Sequence, residues 1–396
     1  GLPRQSRLAA RGRRVMNPRS HASSNRRVLT PRRWLLGAAL ALLASVSACQ
    51  PAAPNAATQN PTASETPMSW KTVCVGRVLM QFPDQGKTDW SQRAQGLDIR
   101  RLPRPLSLDR FWQGVETIKT NYEAQKHDRH SSRLAHFERV NDKLAVVAGY
   151  DNGETLVVPV VRTFFWQDEN HAYEFPKGSA RIYKEIAPTP ALFADTIARY
   201  TQAAQNIEPL TEGQVPSGPG FCIDGAVVRG DTGVGADAAV SREYLPGYVL
   251  VLAHRENLSK TEIYSGFGKL KLEEQMAKAM AKAGEGYKEF TVIRRQERTL
   301  DGLLGQEFIV RRVDQVGVLS YLFWWAVRGA NEGGIQRPRL VIHMTTPDEL
   351  NDAETGRPYK LPSSEATVIG VWDHALSSFK VRPGSMPAGQ RIEAFN

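Results

Sequence analysis

Residues 138–144 read ERVNDKL, and residues 297–303 read ERTLDGL. The two stretches share Glu-Arg, an Asp and a final Leu at equal spacing, and they lie 159 positions apart. Without a gap, the same separation aligns Phe164-Phe165-Trp166 with Phe323-Trp324-Trp325. A structural unit that occurs twice would explain this agreement, although coincidence between short apolar patterns would explain it too.

Two further matches extend the repeat in both directions. Val73-Cys74-Val75 corresponds to Phe221-Cys222-Ile223 at a separation of 148. At a separation of 172, the apolar stripe of Ile197, Tyr200, Ala204 and Ile207 corresponds to Ile369, Trp372, Leu376 and Phe379. The separations increase along the chain, as two copies that differ by insertions would require. The sequence therefore predicts two similar domains at residues 70–212 and 220–386, with a linker at 213–219 and a tail at 387–396.

Each copy should contain the same strands in the same order. A strand that carries the cysteine is predicted at 72–82 and again at 220–229, and a second strand is clearest at 248–253. Hairpins should turn at 141–143 and at 301–302, where Asp-Gly is a favoured two-residue turn. The aromatic triplets then lie in the strands that follow these hairpins, and we interpret their tryptophans as core residues rather than as a ligand wall.

Helices are predicted where apolar residues recur three and four positions apart. Ser107 is the expected N-cap of the first helix, and the closing helix of each copy should end at Pro209 or Pro383. The stripes are Phe111, Val115, Ile118 and Tyr122 in the first copy, and Leu272, Met276, Met280 and Ala283 in the second. Helices that cover one face of a mostly antiparallel sheet, twice over, define an α+β fold of two duplicated domains.

The second copy contains extra residues, which the separations place between Trp325 and Ile369. Residues 329–364 are polar and contain Pro and Gly. Loops on a rigid scaffold often carry recognition, so this insertion is a candidate partner-binding surface, and an ordinary variable loop is an equal alternative.

Residues 34–49, WLLGAALALLASVSAC, form a short apolar run behind an arginine-rich segment. The run is shorter than the roughly 20 residues of a spanning helix, and small residues before a cysteine are typical of a lipoprotein signal. We expect residues 1–48 to be a signal peptide, of which 1–15 could be a misassigned start, and Cys49 to be lipidated. An uncleaved membrane anchor, or a chance cysteine after a signal peptide, is the alternative. Residues 49–69, rich in Pro, Ala, Asn and Thr, should be a disordered tether.

The net charge of +10 comes from the leader alone. Ten of the 51 Lys and Arg residues precede Cys49 and no acidic residue does, so 41 basic residues face 41 acidic ones in the remaining chain. A neutral body does not favour nucleic acid as a partner.

Cys74 and Cys222 are the cysteines that remain once Cys49 carries a lipid. In an oxidising compartment they could form a disulfide across a loop of about 150 residues. Two buried, unpaired thiols are an equal alternative at this point.

The sequence contains no recognisable catalytic constellation. Tyr264-Ser265-Gly266-Phe267-Gly268 lacks the first glycine of a nucleophile elbow, and residues 230–235 lack the Lys-Ser/Thr of a phosphate loop. His127 and His130 could share a helical face, but no further metal ligand is indicated. We therefore predict no catalytic, cofactor-binding or metal-binding residues, and no cofactor.

The lipobox, the tether and the duplicated unit that opens at Val73-Cys74-Val75-Gly76-Arg77 and Gly220-Phe221-Cys222-Ile223 resemble one known family. The sequence is similar to the two-domain periplasmic immunity proteins that neutralise type VI secretion lipase effectors. The resemblance covers Trp70 to Pro383, and it rests on short motifs and domain order. No contact residues of that family can be matched to positions of this chain.

The resemblance implies a protein that is not an enzyme. It would bind a secreted phospholipase, block its active-site cleft and restrain its lid. Such a protein would act in the periplasm, held to a membrane through Cys49, and we expect the outer rather than the inner membrane. An envelope scaffold or assembly lipoprotein and an unrecognised periplasmic hydrolase are the alternatives.

Overall fold

The structure, a computed structural model, describes residues 68–127, 130–150, 160–178, 190–230, 236–256, 287–315, 317–327, 334–347 and 364–393. The predicted leader, Cys49, most of the tether and the second-copy helix at 272–283 lie outside these residues. None of the helices that the structure describes has the length and apolar character needed to cross a membrane.

The N-terminal half, residues 70–212, is rich in strands and contains two of the described helices. Its elements are β1 (Trp70–Val75), β2 (Val78–Pro83), β3 (Lys87–Ala94), β4 (Leu97–Asp98), β5 (Arg100–Arg101), α1 (Leu108–Ala124), β6 (Leu134–Asn141), β7 (Leu144–Gly149), β8 (Val160–Asp168), β9 (His171–Gly178), α2 (Pro190–Gln205) and β10 (Ile207–Pro209).

The C-terminal half, residues 213–393, contains longer strands. Its elements are β11 (Phe221–Ile223), β12 (Ala226–Val228), β13 (Asp237–Leu245), β14 (Tyr248–Arg255), β15 (Tyr287–Leu300), β16 (Leu303–Asp314), β17 (Leu319–Val327), β18 (Arg339–Thr345), α3 (Glu365–Ser377) and β19 (Lys380–Val381).

Every strand pair that the structure describes is antiparallel. The largest sheet has eight strands in the order β15-β16-β17-β18-β14-β13-β3-β4, and a five-stranded sheet has the order β5-β9-β8-β7-β6. Two three-stranded sheets have the orders β1-β2-β19 and β10-β12-β11. The prediction of an α+β fold with mostly antiparallel sheets is confirmed.

The two halves order their strands alike. The sequence β6-β7-β8-β9-β5 in the five-stranded sheet corresponds to β15-β16-β17-β18-β14 in the large sheet. The stretches ERVNDKL and ERTLDGL both form the hairpins predicted for them, β6–β7 and β15–β16. This agreement supports the duplication, which stays a prediction.

Strand pairing crosses the predicted domain boundary in three places. Strand β3 pairs with β13, the last strand of the C-terminal half pairs with β2, and the last strand of the N-terminal half pairs with β12. Residues Thr66–Asn396 form one compact unit. The division at 213–219 therefore remains a prediction, and strands exchanged between the halves connect their sheets.

Each predicted cysteine strand is a tight hairpin, so the prediction of single strands at 72–82 and 220–229 is wrong. The chain reverses at Gly76-Arg77 and again at Asp224-Gly225. Gly76 has φ +61° and Gly225 has φ +67°, a left-handed conformation that glycine adopts without the clash of a Cβ atom. The glycine in each apolar run thus marks a turn rather than a continuing strand.

The interpretation of residues 329–364 as a loop insertion is also wrong in part. Residues Arg339–Thr345 form β18, which pairs with β17 on one side and β14 on the other. Leu340, Ile342 and Met344 are fully buried. The strand was missed because the flanking polar and Gly-rich residues hid a short alternating pattern. Residues 328–333 and 348–363 lie outside the described part of the chain.

The helices follow their predicted stripes. Ser107 caps α1 by accepting a hydrogen bond from the backbone N–H of Arg110, and Phe111 and Val115 are buried. The closing helices end at Gln205 and Ser377, earlier than predicted. The last stripe residues, Ile207 and Phe379, are nevertheless buried beyond the helix ends.

The largest apolar cluster of the described residues runs through both halves. It includes Val75 and Tyr173 from the N-terminal half, and Tyr248, Phe323 and Trp325 from the C-terminal half. Because burial contributes roughly 25 cal/mol for each Å² of apolar surface, this shared core is a major stabilising term for the contact between the halves.

Candidate partner-binding cleft

A cleft with a volume of about 940 Å³ opens where the two halves meet. Its walls include residues 71–74 of β1, 168–171 of the β8–β9 turn, 210–214 at the start of the linker, and 223–225 of the β11–β12 turn. Alternate residues of β3 complete it. The cleft is therefore lined by elements that are distant in sequence. Strand exchange between the halves brings these elements together.

The β11–β12 turn is fixed in the cleft by a partly buried arginine. Arg101 donates from Nη1 to the carboxylate of Asp224 at 2.8 Å, and from Nη2 to the carbonyl of Asn170 at 2.7 Å. A Cβ atom on Gly225 would overlap the Arg101 guanidinium. The glycine is therefore required both by its φ and by the arginine beside it. We call this turn and its contacts the open corner.

The opposite wall is organised around His171. Its Nδ1 lies 2.7 Å from the carboxylate of Asp168, and its Nε2 lies 3.0 Å from the carbonyl of Leu210. Burial alone would raise the pKa of Asp168, but hydrogen bonds from the backbone N–H of Asn170 and from His171 lower it. Asp168 is consequently anionic at neutral pH, and the imidazole connects it to the backbone that enters the linker.

Most charges in the cleft are paired within the protein. Lys71 forms an ion pair with Glu212, and the hydrogen bond from Lys71 lowers the pKa of the Glu212 carboxyl group. Arg242 donates to the carbonyl of Asp84 at 3.2 Å. Arg104 and Glu169, by contrast, are exposed in the cleft wall and form no ion pair within the described ranges. The cleft therefore presents charges of both signs.

Apolar side chains and the disulfide supply the remaining surface. Val73 and Trp90 are partly buried against the main core and also line the cleft. Cys74 and Cys222 form a disulfide, with their Cα atoms 5.7 Å apart. The backbone N–H of Cys222 donates to the carbonyl of Gly76 at 2.7 Å. The disulfide thus connects β1, which lines the cleft, to β11, the strand that leads into the open corner.

The β1–β2 turn has a different environment, in which the chain itself fills the space. Arg77 is 1% exposed, and its guanidinium donates to Glu256 at 2.5 Å and to the carbonyls of Gly220 at 3.1 Å and Ser385 at 2.5 Å. Arg382 is equally buried and donates from Nη2 to the carbonyl of Gly220 at 2.6 Å. We call this turn and its contacts the sealed corner.

Burial and like charge perturb two groups of the sealed corner. His254 accepts a hydrogen bond at Nδ1 from the backbone N–H of Arg77, and it is fully buried. Burial, followed by the charge of Arg77, lowers the pKa of His254 to about 3. Burial also lowers the pKa of Arg382 to about 10, with smaller effects from Arg77 and Arg229. The imidazole is thus neutral and the Arg382 guanidinium remains charged at pH 7.

Two buried carboxylates elsewhere in the sheets are occupied by arginines. Glu174 accepts hydrogen bonds from Arg100 and Arg162. Glu307 accepts from Arg294 at 3.0 Å and Arg298 at 3.1 Å, and also from the indole N–H of Trp372. These contacts explain why fully buried carboxylates are tolerated.

The histidines considered in the sequence do not form a metal centre in the described part of the chain. No group of three or more His, Cys, Asp and Glu side chains there is arranged to hold a metal ion. The rings of His127 and His130 lie 4.8 Å apart, and that of His130 stacks on Tyr150 at 4.4 Å. His343 stacks on Trp324 at 5.3 Å. These contacts are packing contacts.

Sequence reasoning did not predict the cleft, since its candidate partner-binding surface at 329–364 contributes no residue to the cleft wall in the described part of the chain. Cys74 and Cys222 were singled out, and both lie beside it. Arg77 and Arg101 were not, because an arginine that will be buried has no local signature that separates it from a surface arginine. The glycines at the two turns were the available signal, since each permits a close approach of backbone to a side chain.

Comparison with known proteins finds a family model that matches the C-terminal half. Residues 214–384 match the family model of the Tle cognate immunity protein 4 C-terminal domain. The family resemblance predicted from the sequence is confirmed. The matched region begins in the linker, and it includes β11–β19 and the β11–β12 turn of the open corner, whereas the β1–β2 turn lies outside it.

Solved structures share the fold over most of the chain. The apo structure of the T6SS immunity protein TplEi from Pseudomonas aeruginosa has a TM-score of 0.62 at 19% identity, covering 80% of this chain and 98% of that one. A chain of the Tle4–Tli4 complex has a TM-score of 0.59 at 22% identity, with the same coverage. TplEi in complex with an "L" peptide gives 0.54 at 19% identity, covering 79% and 98%. A comparison with curated protein sequences finds no significant match.

Proposed function

We propose that this protein is an immunity protein that binds a lipase effector delivered by type VI secretion and inhibits it by blocking its active-site cleft. The observation that carries the proposal is the match of residues 214–384 to the Tle cognate immunity protein 4 C-terminal domain. The shared fold with TplEi and with a chain of the Tle4–Tli4 complex supports it across both halves.

The cleft is the surface that we assign to the effector. A stable protein interface buries about 1,600 Å² in total, and its energy is concentrated in a few aromatic and arginine residues in partly enclosed positions. The cleft offers Trp90 and Arg104 in such a setting, on walls fixed by the disulfide and by Arg101. A preorganised wall loses little conformational entropy on binding, which favours affinity.

An inhibitor that blocks the active-site cleft of its effector needs a rigid binding surface, and charges that are paired within the protein provide one. Glu212 is held by Lys71, Asp224 by Arg101 and Asp168 by His171, so these carboxylates orient a surface rather than activate a nucleophile. We propose that the protein acts stoichiometrically and has no turnover of its own.

Location is the second part of the proposal. Lipidation of Cys49 would hold the protein to a membrane in the periplasm, next to the lipids that the effector attacks. The disulfide agrees with an oxidising compartment. The tether would leave the folded part at β1, whose residues 71–74 also line the cleft, so the anchor and the binding surface share one strand.

A pair of tryptophan substitutions on one strand tests the role of the cleft. Thr88 lines the cleft, whereas Asp89 points to the other face of β3, because successive side chains of a strand alternate. The full chain with Cys49→Ser, which prevents lipidation, is mixed with the lipase encoded beside it. We expect a stable 1:1 complex and loss of hydrolysis.

Thr88→Trp should weaken that complex by about tenfold or more by filling the cleft, while Asp89→Trp should leave it unchanged. Equal effects of the two variants would remove the cleft from the proposal. Failure of the unsubstituted chain to bind the lipase at micromolar concentration would remove the proposed function itself.

A further inference from the structure

Arg242 is a partly enclosed cation of the cleft wall that has no carboxylate in contact with it. Lys71 and Arg101, in the same wall, each form an ion pair with a carboxylate that also lines the cleft. Among the described residues, no carboxylate lies within ion-pair distance of the Arg242 guanidinium. The protein therefore leaves one half-buried positive charge of the cleft without a direct counter-ion.

Backbone carbonyls of the β2–β3 turn hold this guanidinium in place. Its Nη1 donates to the carbonyl of Asp84 at 3.2 Å and to that of Gly86 at 3.5 Å, which are long hydrogen bonds. The turn lies tightly against β13, because a Cβ atom on Gly86 would overlap the backbone carbonyl of Glu243. Nη2 makes no hydrogen bond within the described ranges. The guanidinium is thus positioned, and donors remain for an acceptor that enters the cleft.

Burial destabilises the charge of Arg242 more than nearby carboxylates stabilise it. Removal from water lowers the pKa of the Arg242 guanidinium, and the attraction of Asp84 and Glu212 offsets this effect only in part. Glu212 is itself engaged by Lys71. A charge that is removed from water needs a close counter-ion to compensate for its lost hydration. A carboxylate that came from outside and touched the guanidinium would supply that compensation.

The neighbours of Arg242 on the sheet complete a binding surface. In the β3–β13 ladder, Thr88 lies directly opposite Arg242, and Trp90 lies opposite Val240. Opposed residues of paired strands project to the same face, and Thr88 and Trp90 both line the cleft. Thr88 offers a hydroxyl donor, and Trp90 offers a flat apolar surface that is partly buried against the core. These groups suit a carboxylate on a short aliphatic stem.

We propose that the cleft binds an acidic side chain of its protein partner, with the carboxylate on Arg242 and the stem beside Trp90. The inference rests on the proposed function and names the partner chemistry of the same cleft. Hydrogen bonds between a guanidinium and a carboxylate are among the strongest in proteins, because both groups are charged. Arginines in enclosed parts of an interface often contribute much of its binding energy. Arg242 is such a residue once a partner covers the cleft.

A phospholipid headgroup would offer the same anionic chemistry, and the charges of the cleft argue against it. The acidic residues that line the cleft outnumber the basic ones, since Asp84, Asp168, Glu169, Glu212 and Asp224 face Lys71, Arg101, Arg104 and Arg242. An anionic membrane surface would meet all of these carboxylates together. A single side chain that touches Arg242 meets the others at longer range, where water and salt screen them. The structure therefore favours a protein carboxylate.

N-Acetyl-L-glutamic acid α-amide, a probe that carries only the side-chain carboxylate, tests the inference without an effector. It is titrated into the isotope-labelled full chain with Cys49→Ser, and backbone amide shifts are recorded. We expect saturable shifts at Thr88 and Arg242, and none with N-acetyl-L-glutamine amide, in which a neutral amide replaces the carboxylate. Arg242→Gln should weaken binding of the acidic probe by about fivefold or more, because a charge-assisted hydrogen bond is lost.

Arg93→Gln is the matched control, because it also removes a guanidinium from the β3–β13 pair, outside the cleft wall. It should leave the affinity unchanged. Shifts that fail to saturate by about 50 mM probe, equal shifts with the two probes, or equal losses for the two variants would overturn the inference. So would binding to phosphatidylglycerol vesicles that Arg242→Gln abolishes, because the site would then take a lipid headgroup. Since no lipase is present, these results are independent of whether the complex forms.

Discussion

The two hairpin corners share the same backbone contact but differ in how far they are enclosed. In the open corner the N–H of Leu210 donates to the carbonyl of Gly225 at 2.9 Å, and in the sealed corner the N–H of Arg382 donates to the carbonyl of Arg77 at 2.9 Å. In the sealed corner Arg77 and Arg382 fill the space beside the turn, and both are 1% exposed. In the open corner the turn ends in Gly225, and a cleft of about 940 Å³ remains beside it. The difference shows how two similarly built turns can be enclosed by side chains of the protein at one place and border a cleft at another.

The largest effect should come from removing an arginine from each corner. Arg77→Ala should lower the free energy of unfolding by about 3–5 kcal/mol, because it removes the Arg77 guanidinium from the buried Glu256 carboxylate. Arg101→Ala, in the open corner, should cost about 1–2 kcal/mol, because water can reach Asp224 in the cleft. Urea unfolding followed by circular dichroism measures both.

Equal losses for these two variants would contradict the comparison between the corners. Arg77→Lys serves as a control, because it keeps the charge but loses the planar fork, so its stability should lie between those of the parent protein and Arg77→Ala.

A smaller difference should separate the two turn glycines. Gly76→Ala should cost about 2–4 kcal/mol, because a positive φ is unfavourable for alanine and the new Cβ atom would overlap the buried His254 ring. Gly225→Ala should cost about 1–2 kcal/mol, since the Arg101 guanidinium is the end of a flexible side chain.

Thermal unfolding of the two alanine variants at one pH gives this comparison. Gly213→Ala is a reference, because Gly213 also has a positive φ of +78°, but a methyl group there would meet only open space. A larger loss at Gly225 than at Gly76 would mean that the open corner is the more rigid one.

The smallest expected difference between the corners is the loss of unfolding free energy in mild acid. The pKa of His254 is about 3 in the folded protein and near 6.5 when unfolded, so its contribution to stability is fully present above pH 6.5 and is lost as the pH falls towards 3. The loss should reach about 2 kcal/mol at pH 5. Asp168, whose pKa is lowered, contributes stability that is lost only below its ordinary carboxyl range.

Unfolding free energies between pH 7 and pH 5 measure this effect. The burial of His343 lowers its pKa and adds a dependence of the same sign, so His254→Asn should reduce the slope without abolishing it. An unchanged slope in His254→Asn would show that the sealed corner does not exclude protons from its imidazole.

The helices and the long hairpins could be predicted because their signals are local. The Ser107 cap and the stripe of α1 lie within a few turns of one another, and the Asp301-Gly302 turn lies between two alternating runs. Strand β18 could not be predicted, because its short pattern acquires meaning only between β17 and β14. The cleft could not be predicted either, since residues 71–74 and 223–225 are distant in sequence and come together only in the tertiary structure.

The sequence by itself determined the α+β class, the repeat of the hairpin motif, the family resemblance and the pair of cysteines, because periodicity, turn chemistry and residue identity are written in short stretches. Only the tertiary structure decided that Arg77 is enclosed while Arg104 is exposed. Burial depends on which distant segments pack around a side chain, and two arginines after similar strands are identical until the chain closes over one of them.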